Sequence, residues 1–286
     1  MEKRLCLLKD YIKVKRAGSE GTTFGGDQNF FAAERVKELM WKESERQEES
    51  EVPKEEGLSK EADRQESDAK ALVKEQTKAV EKSKAEDEKK QKMGCGIVAL
   101  SDIFLYLSGK YNKSLQLDGV SYVNYKLDQK TYCEYYNRIY RLAGGVSLKN
   151  GASGIKLWRT FNRMAKLQGW SERARWGFSR KKILSRLEEM LAKDIPVILC
   201  VPMALFKKDK EKGLWFYMKN EKGAYVPRTR VNGHYVVVTE LFYENEEIYL
   251  VISSWGKQYF IKWKEYEEQI KTRLFGAFLG NLLYIK

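Results

Sequence analysis

Between residues 42 and 92 the chain has no aromatic residue and few large aliphatics, against 13 basic and 16 acidic side chains. Such a stretch cannot bury enough apolar surface to offset the conformational entropy of ordering it. A packed core must therefore come from what lies on either side. The Ala, Glu, Lys and Gln content favours helix, so residues 59–92 are expected as a solvated single helix or as disordered chain. No apolar heptads run through the stretch, so no coiled coil is expected. It reads as an insertion into a loop, where extra length adds little closure entropy. Three segments follow: a lead-in over 1–41 that packs on the folded domain, the charged insertion 42–92 as an arm for a partner protein, and a folded domain over 93–286.

Charge divides along the same line. Residues 1–93 hold 21 Lys and Arg against 22 Asp and Glu, whereas residues 94–286 hold 32 against 18. A folded part this basic raises the question of nucleic acid. No helix-turn-helix, zinc-finger or RRM-like signature accompanies the charge, and the plainer reading is a basic surface that favours acidic partners. Arg228, Arg230 and the lysines of 207–212 point the same way.

The four cysteines, Cys6, Cys95, Cys133 and Cys200, show neither CxxC nor metal-ligand spacing, and the chain has one histidine. No zinc site, other metal or cofactor is expected. The apolar stretch near Met1 is too short for a signal peptide, and no window reaches the roughly 18 apolar residues of a membrane span. A cytoplasmic protein with reduced thiols is the expectation.

Hydrophobic periodicity changes once along the folded part. Gly96–Leu107 is apolar nearly all round, as in a buried helix. Helical spacing recurs over 128–143 and 155–168, and Ser179 is placed to cap a helix with Ile183, Leu187 and Met190 on one face. From Pro196 onward the pattern is that of strands: 196–201, 214–218, 235–242, 248–253, 258–263 and 275–285, with a brief helix over 264–271. Helices first and strands second predict an α+β fold, a helical half followed by an antiparallel sheet half.

Two residues carry chemistry. Cys95 lies in Gly94-Cys95-Gly96 at the start of the buried helix, where free N–H groups and the helix dipole lower a thiol pKa. His234 opens the strand-forming run Gly233-His234-Tyr235-Val236-Val237-Val238 and is the one imidazole able to serve as base. A cysteine at a helix start and a distant histidine on a strand form the nucleophile–base arrangement of thiol enzymes. Cys133 and Cys200 lie within apolar segments and read as core.

With Ser253-Ser254-Trp255-Gly256 following on the next strand, these motifs resemble the papain-like cysteine peptidases. The likeness is nearest to the compact bacterial branch of double-glycine leader (bacteriocin-processing) peptidases and their stand-alone relatives. It implies a papain-like fold with the active-site cleft between the two halves, and a peptide or protein substrate. It further implies an oxyanion-hole glutamine, best matched by Gln28 in Gly25-Gly26-Asp27-Gln28-Asn29-Phe30-Phe31, although the charged insertion separates Gln28 from Cys95. Where papain-type enzymes carry Asn-Ser-Trp-Gly, this chain has Ser253, whose hydroxyl orients an imidazole more weakly than an amide or carboxylate. Hydrolysis and acyl transfer use the same parts. A catalytically inactive member of the fold, binding peptides in its cleft, is the alternative.

Overall fold

The computed structural model describes residues 3–31, 77–78, 81–111, 125–203, 213–272 and 280–286. Most of the charged insertion, the lysines of 207–212 and residues 275–279 of the last expected strand lie outside the described residues. The chain divides into two compact units, one of residues 1–28 and 93–286, the other of residues 29–92.

The first unit is α+β, with most of its helices in the N-terminal half and a nine-stranded antiparallel sheet in the C-terminal half. Helix α1 (Cys95–Lys110) is buried from Gly96 to Ser108. α2 (Gln129–Leu142) and α3 (Gly154–Leu167) begin at Asp128 and Ser153, whose side chains accept from the amides of Thr131 and Lys156. These caps satisfy donors that a helix start leaves open. Ser179 makes no such bond. It precedes a 3₁₀ turn, Arg180–Lys182, and α4 (Ile183–Ala192) starts only after it. Three successive basic residues fill that turn, and no short polar side chain is available to cap α4 at Lys182.

The sheet is built from β1 (Arg4–Cys6), β4 (Ala174–Trp176), β5 (Val197–Val201), β6 (Leu214–Lys219), β7 (Tyr225–Val231), β8 (His234–Glu244), β9 (Glu247–Ser254), β10 (Lys257–Lys262) and β11 (Leu282–Ile285). Its order is β4-β11-β5-β8-β9-β10-β6-β7, with β1 pairing the distal half of β8. A separate parallel pair joins β2 (Lys13–Lys15) to β3 (Lys126–Asp128). α5 (Trp263–Thr272) follows β10 and inserts Trp263, Tyr266 and Ile270 into the core.

β8 is the organising strand, since it pairs with β5, β9 and β1. Val236, Val237, Val238 and Leu241 along it are fully buried or nearly so. α1 packs against this strand and β5. Phe104 of α1 stacks on Phe161 of α3 with ring centroids 4.6 Å apart, and Trp170 closes the cluster. Burying each such ring contributes about 2–3 kcal/mol. α1 is thereby fixed with its first residue, Cys95, beside the N-terminal end of β8.

A helix spans Glu81–Met93, all but its last residue in the second unit, and is joined by i,i+3 and i,i+4 pairs such as Lys90–Asp87 and Lys92–Glu88. Lys90 also lies over the ring of Phe31 at 5.6 Å. Among the described residues, no single helix is long and apolar enough to cross a membrane.

Candidate active site

Gln28, Cys95 and His234, from three distant parts of the sequence, line one small cavity in the first unit, together with Gly26, Asp102, Tyr235, Ser253, Ser254 and Trp255. Its volume is about 10 Å³, room for roughly one water molecule.

Cys95 is the first residue of α1, and Gly94 before it provides no side-chain cap. Gly96 lets the ring of Tyr235 approach, since a Cβ there would stand 3.1 Å from Tyr235 Cδ2. The residue as a whole is partly exposed. Burial among protein groups nevertheless pushes its thiol above the ordinary thiol range, against a downward pull from the amides of Tyr235, Gly96 and Cys95 itself. The helix start was expected to lower this thiol, and desolvation outweighs it. Cys200, facing Tyr235 across the β5–β8 ladder, is pushed up to about 12, mainly by burial.

His234 is the first residue of β8 and is 7% exposed. Gly233 turns the chain into the strand at φ +62°, with its N–H donating to Pro202 O at 3.1 Å. Burial lowers the imidazole to about 3. Its Nε2 lies 2.7 Å from Ser254 Oγ, and the indole of Trp255 stacks on it with centroids 4.4 Å apart and planes 20° from parallel. Phe216 packs against both rings.

The imidazole partner is therefore Ser254, not Ser253. Successive residues of a strand face opposite sides, so only one of the two serines at the end of β9 turns toward His234. Ser253 instead donates to Phe24 O at 2.7 Å. That bond fastens the Gln28 loop to the sheet. Phe24 N–H donates to Gly256 O at 2.9 Å, and Gly256 N–H donates back to Gly26 O at 3.1 Å. Trp255 and Gly256 both have positive φ, +49° and +67°, forming the two-residue turn between β9 and β10.

Asp102 is the residue that sequence reasoning passed over. It lies two turns along α1 from Cys95 and is 1% exposed. Its carboxylate accepts from Gly26 N–H at 3.0 and 3.1 Å, from Tyr132 OH at 2.8 Å and from Tyr11 OH at 3.1 Å. Burial raises it to about 6, against the pull of these three donors. A lone carboxylate inside the apolar run Ile97–Leu107 was the available signal, because a buried charge demands partners. The glycines opposite are equally constrained. A Cβ on Gly25 would strike Ser253 and Asp102, and one on Gly26 would strike the Tyr132 hydroxyl.

Among the described residues, no cluster of three His, Cys, Asp or Glu side chains is placed to share a metal ion. Comparison with family models, curated proteins and solved structures finds no match to the chain.

Proposed function

We propose that the protein is a cysteine-dependent peptidase or amide hydrolase of the papain-like type. The observation that carries this reading is the shared cavity of Gln28, Cys95 and His234. Cys95 attacks the substrate carbonyl. Ser254 accepts the Nε2 proton of His234, which leaves Nδ1 with a lone pair for the thiol proton. Gln28 and the Cys95 N–H hold the oxyanion. Trp255 keeps water from the Ser254–His234 bond.

The raised thiol and lowered imidazole describe a resting pair that is uncharged at neutral pH. In this reading the proton passes to His234 as the sulfur attacks, by general-base catalysis, rather than beforehand. Substrate entry must open the cavity, which now holds no more than a water. The test is hydrolysis of fluorescein-labelled casein by the full-length protein and by Cys95→Ala and His234→Ala. Turnover should fall by about a thousandfold or more in both variants. Undiminished turnover in both would sink the assignment.

The uncharged pair and the closed cavity also favour a second reading, a papain-like fold that binds peptides without cleaving them. Peptide binding by wild type with no turnover, unchanged in Cys95→Ala, would select it.

A further inference from the structure

We propose that Asp102 is a positioning residue for the oxyanion hole: its carboxylate clamps the Gly26 amide and so sets where Gln28 stands relative to Cys95. The inference rests on the hydrolase reading above. Gln28 is two residues from Gly26, and both line the cavity with Cys95 and Asp102. Gly26 N–H is shared between both carboxylate oxygens. Tyr132 from α2 and Tyr11 from the N-terminal segment each donate to one of those oxygens, so the carboxylate cannot swing away without breaking a bond. A buried carboxylate with three donors in place is a stiff anchor, since charge-assisted bonds are about twice as strong as neutral ones.

α1 thus supplies two parts of the site from a single rigid element. Its first turn carries the nucleophile, and its third turn grips the loop that carries the oxyanion donor. Ser253 and Gly256 hold the same loop from the sheet side. The Gly25–Gly26 backbone approaches closely enough for this because neither residue has a side chain. An asparagine at 102 would present an NH₂ where only acceptors fit, and the loop would lose its fixed position without any change at the thiol or the imidazole.

Two probes of Cys95 separate this role from a general structural one. Iodoacetamide alkylates the sulfur without forming an oxyanion. A peptide aldehyde, acetyl-Leu-Leu-argininal, adds the thiol across its carbonyl to give a hemithioacetal, whose oxygen the oxyanion hole holds. In Asp102→Asn we expect the iodoacetamide rate to stay within about twofold of wild type, while aldehyde affinity and kcat on labelled casein each fall by about tenfold or more with KM little changed. Hydrogen exchange at residues 24–28 should rise about tenfold, with the core of α1 unchanged. Equal aldehyde affinity in variant and wild type, or unchanged exchange at 24–28, overturns the proposal. Wild type that takes iodoacetamide at Cys95 but neither binds aldehyde nor turns over casein overturns the hydrolase reading instead, and this proposal with it. Should Asp102→Asn fail to fold, Tyr132→Phe removes one donor and is expected to give the same split at about threefold.

Discussion

His234 is the chain's one histidine, so its imidazole gives a single set of NMR resonances. An unfolded imidazole takes up its proton near pH 6.5, the folded one only near 3. The stability contributed by the neutral ring is therefore full above pH 6.5 and is lost as pH falls toward 3. The ¹⁵N shifts should stay those of a neutral ring from pH 8 to about 4.5, and a titration near 6.5 would show that the ring is not desolvated. Asp102 runs the opposite way. Its folded carboxyl, raised to about 6, keeps a proton that the unfolded chain has shed. That contribution is full below about 3.8 and is lost as pH rises through 6. Between pH 5 and 7 wild type should lose about 1 kcal/mol relative to Asp102→Asn, in which the His234 contribution is the same, read from urea titrations of both proteins at the two pH values. The adjacent serines separate by role. Ser254→Ala should lower kcat by about tenfold through a freer imidazole, besides about 1 kcal/mol of stability from the lost His234 bond. Ser253→Ala should cost about 1 kcal/mol of stability through the lost Phe24 bond.

The turn between β9 and β10 brings strain into the site. Trp255 at φ +49° costs about 1 kcal/mol that an Asn or Gly would not, and its stacking on His234 keeps it there. The next residue offers a controlled test. Gly256 and Gly223 both have positive φ, but a Cβ on Gly256 would stand 2.9 Å from Thr23 Cγ2, whereas one on Gly223 meets open space. Gly223→Ala should cost about 1 kcal/mol, and Gly256→Ala about 1–2 kcal/mol more, because Thr23 lies on the segment fastened to the sheet. Urea midpoints at constant slope measure the difference. Such contacts also mark where sequence reading stops. The long segments were legible: α2 and α3 follow from helical spacing, α1 from a run apolar nearly all round, and β8 from its Val-rich composition. β7 was not, because it lies at the sheet edge, where Pro227, Arg228 and Arg230 are its exposed residues. β1, β2, β3 and β4 have three residues each, too few for any period to register. At the site, residue types picked out Cys95 and His234, and Gln28 came only from the resemblance to papain-like peptidases, while choosing between Ser253 and Ser254 needs the strand's facing. Asp102 needs the knowledge that Gly26 comes to meet it.

At the scale of the molecule, the first unit is interrupted between Gln28 and Met93. Both ends of that interruption lie at the cavity, since Gln28 and Cys95 line it together. Replacing residues 29–92 by about eight Gly and Ser residues shortens the closed loop roughly eightfold, and closure entropy alone should then stabilise the first unit by about 2 kcal/mol. A fall in its unfolding midpoint would instead mean that the second unit supplies packing that the first requires. The N-terminal segment does not depend on the peptide chain alone for its place. It is held by the β1–β8 and β2–β3 ladders, by the Phe24, Gly26 and Gly256 backbone bonds, and by the Arg4–Glu240 ion pair. A protease that nicked the molecule once between Asn29 and Lys92 would leave a two-chain protein, with the oxyanion donor on one fragment and the nucleophile and base on the other. Such a nick would pass unnoticed while the protein stayed folded. After denaturation, however, recovery of the site would require two molecules to meet and would become second order in protein concentration.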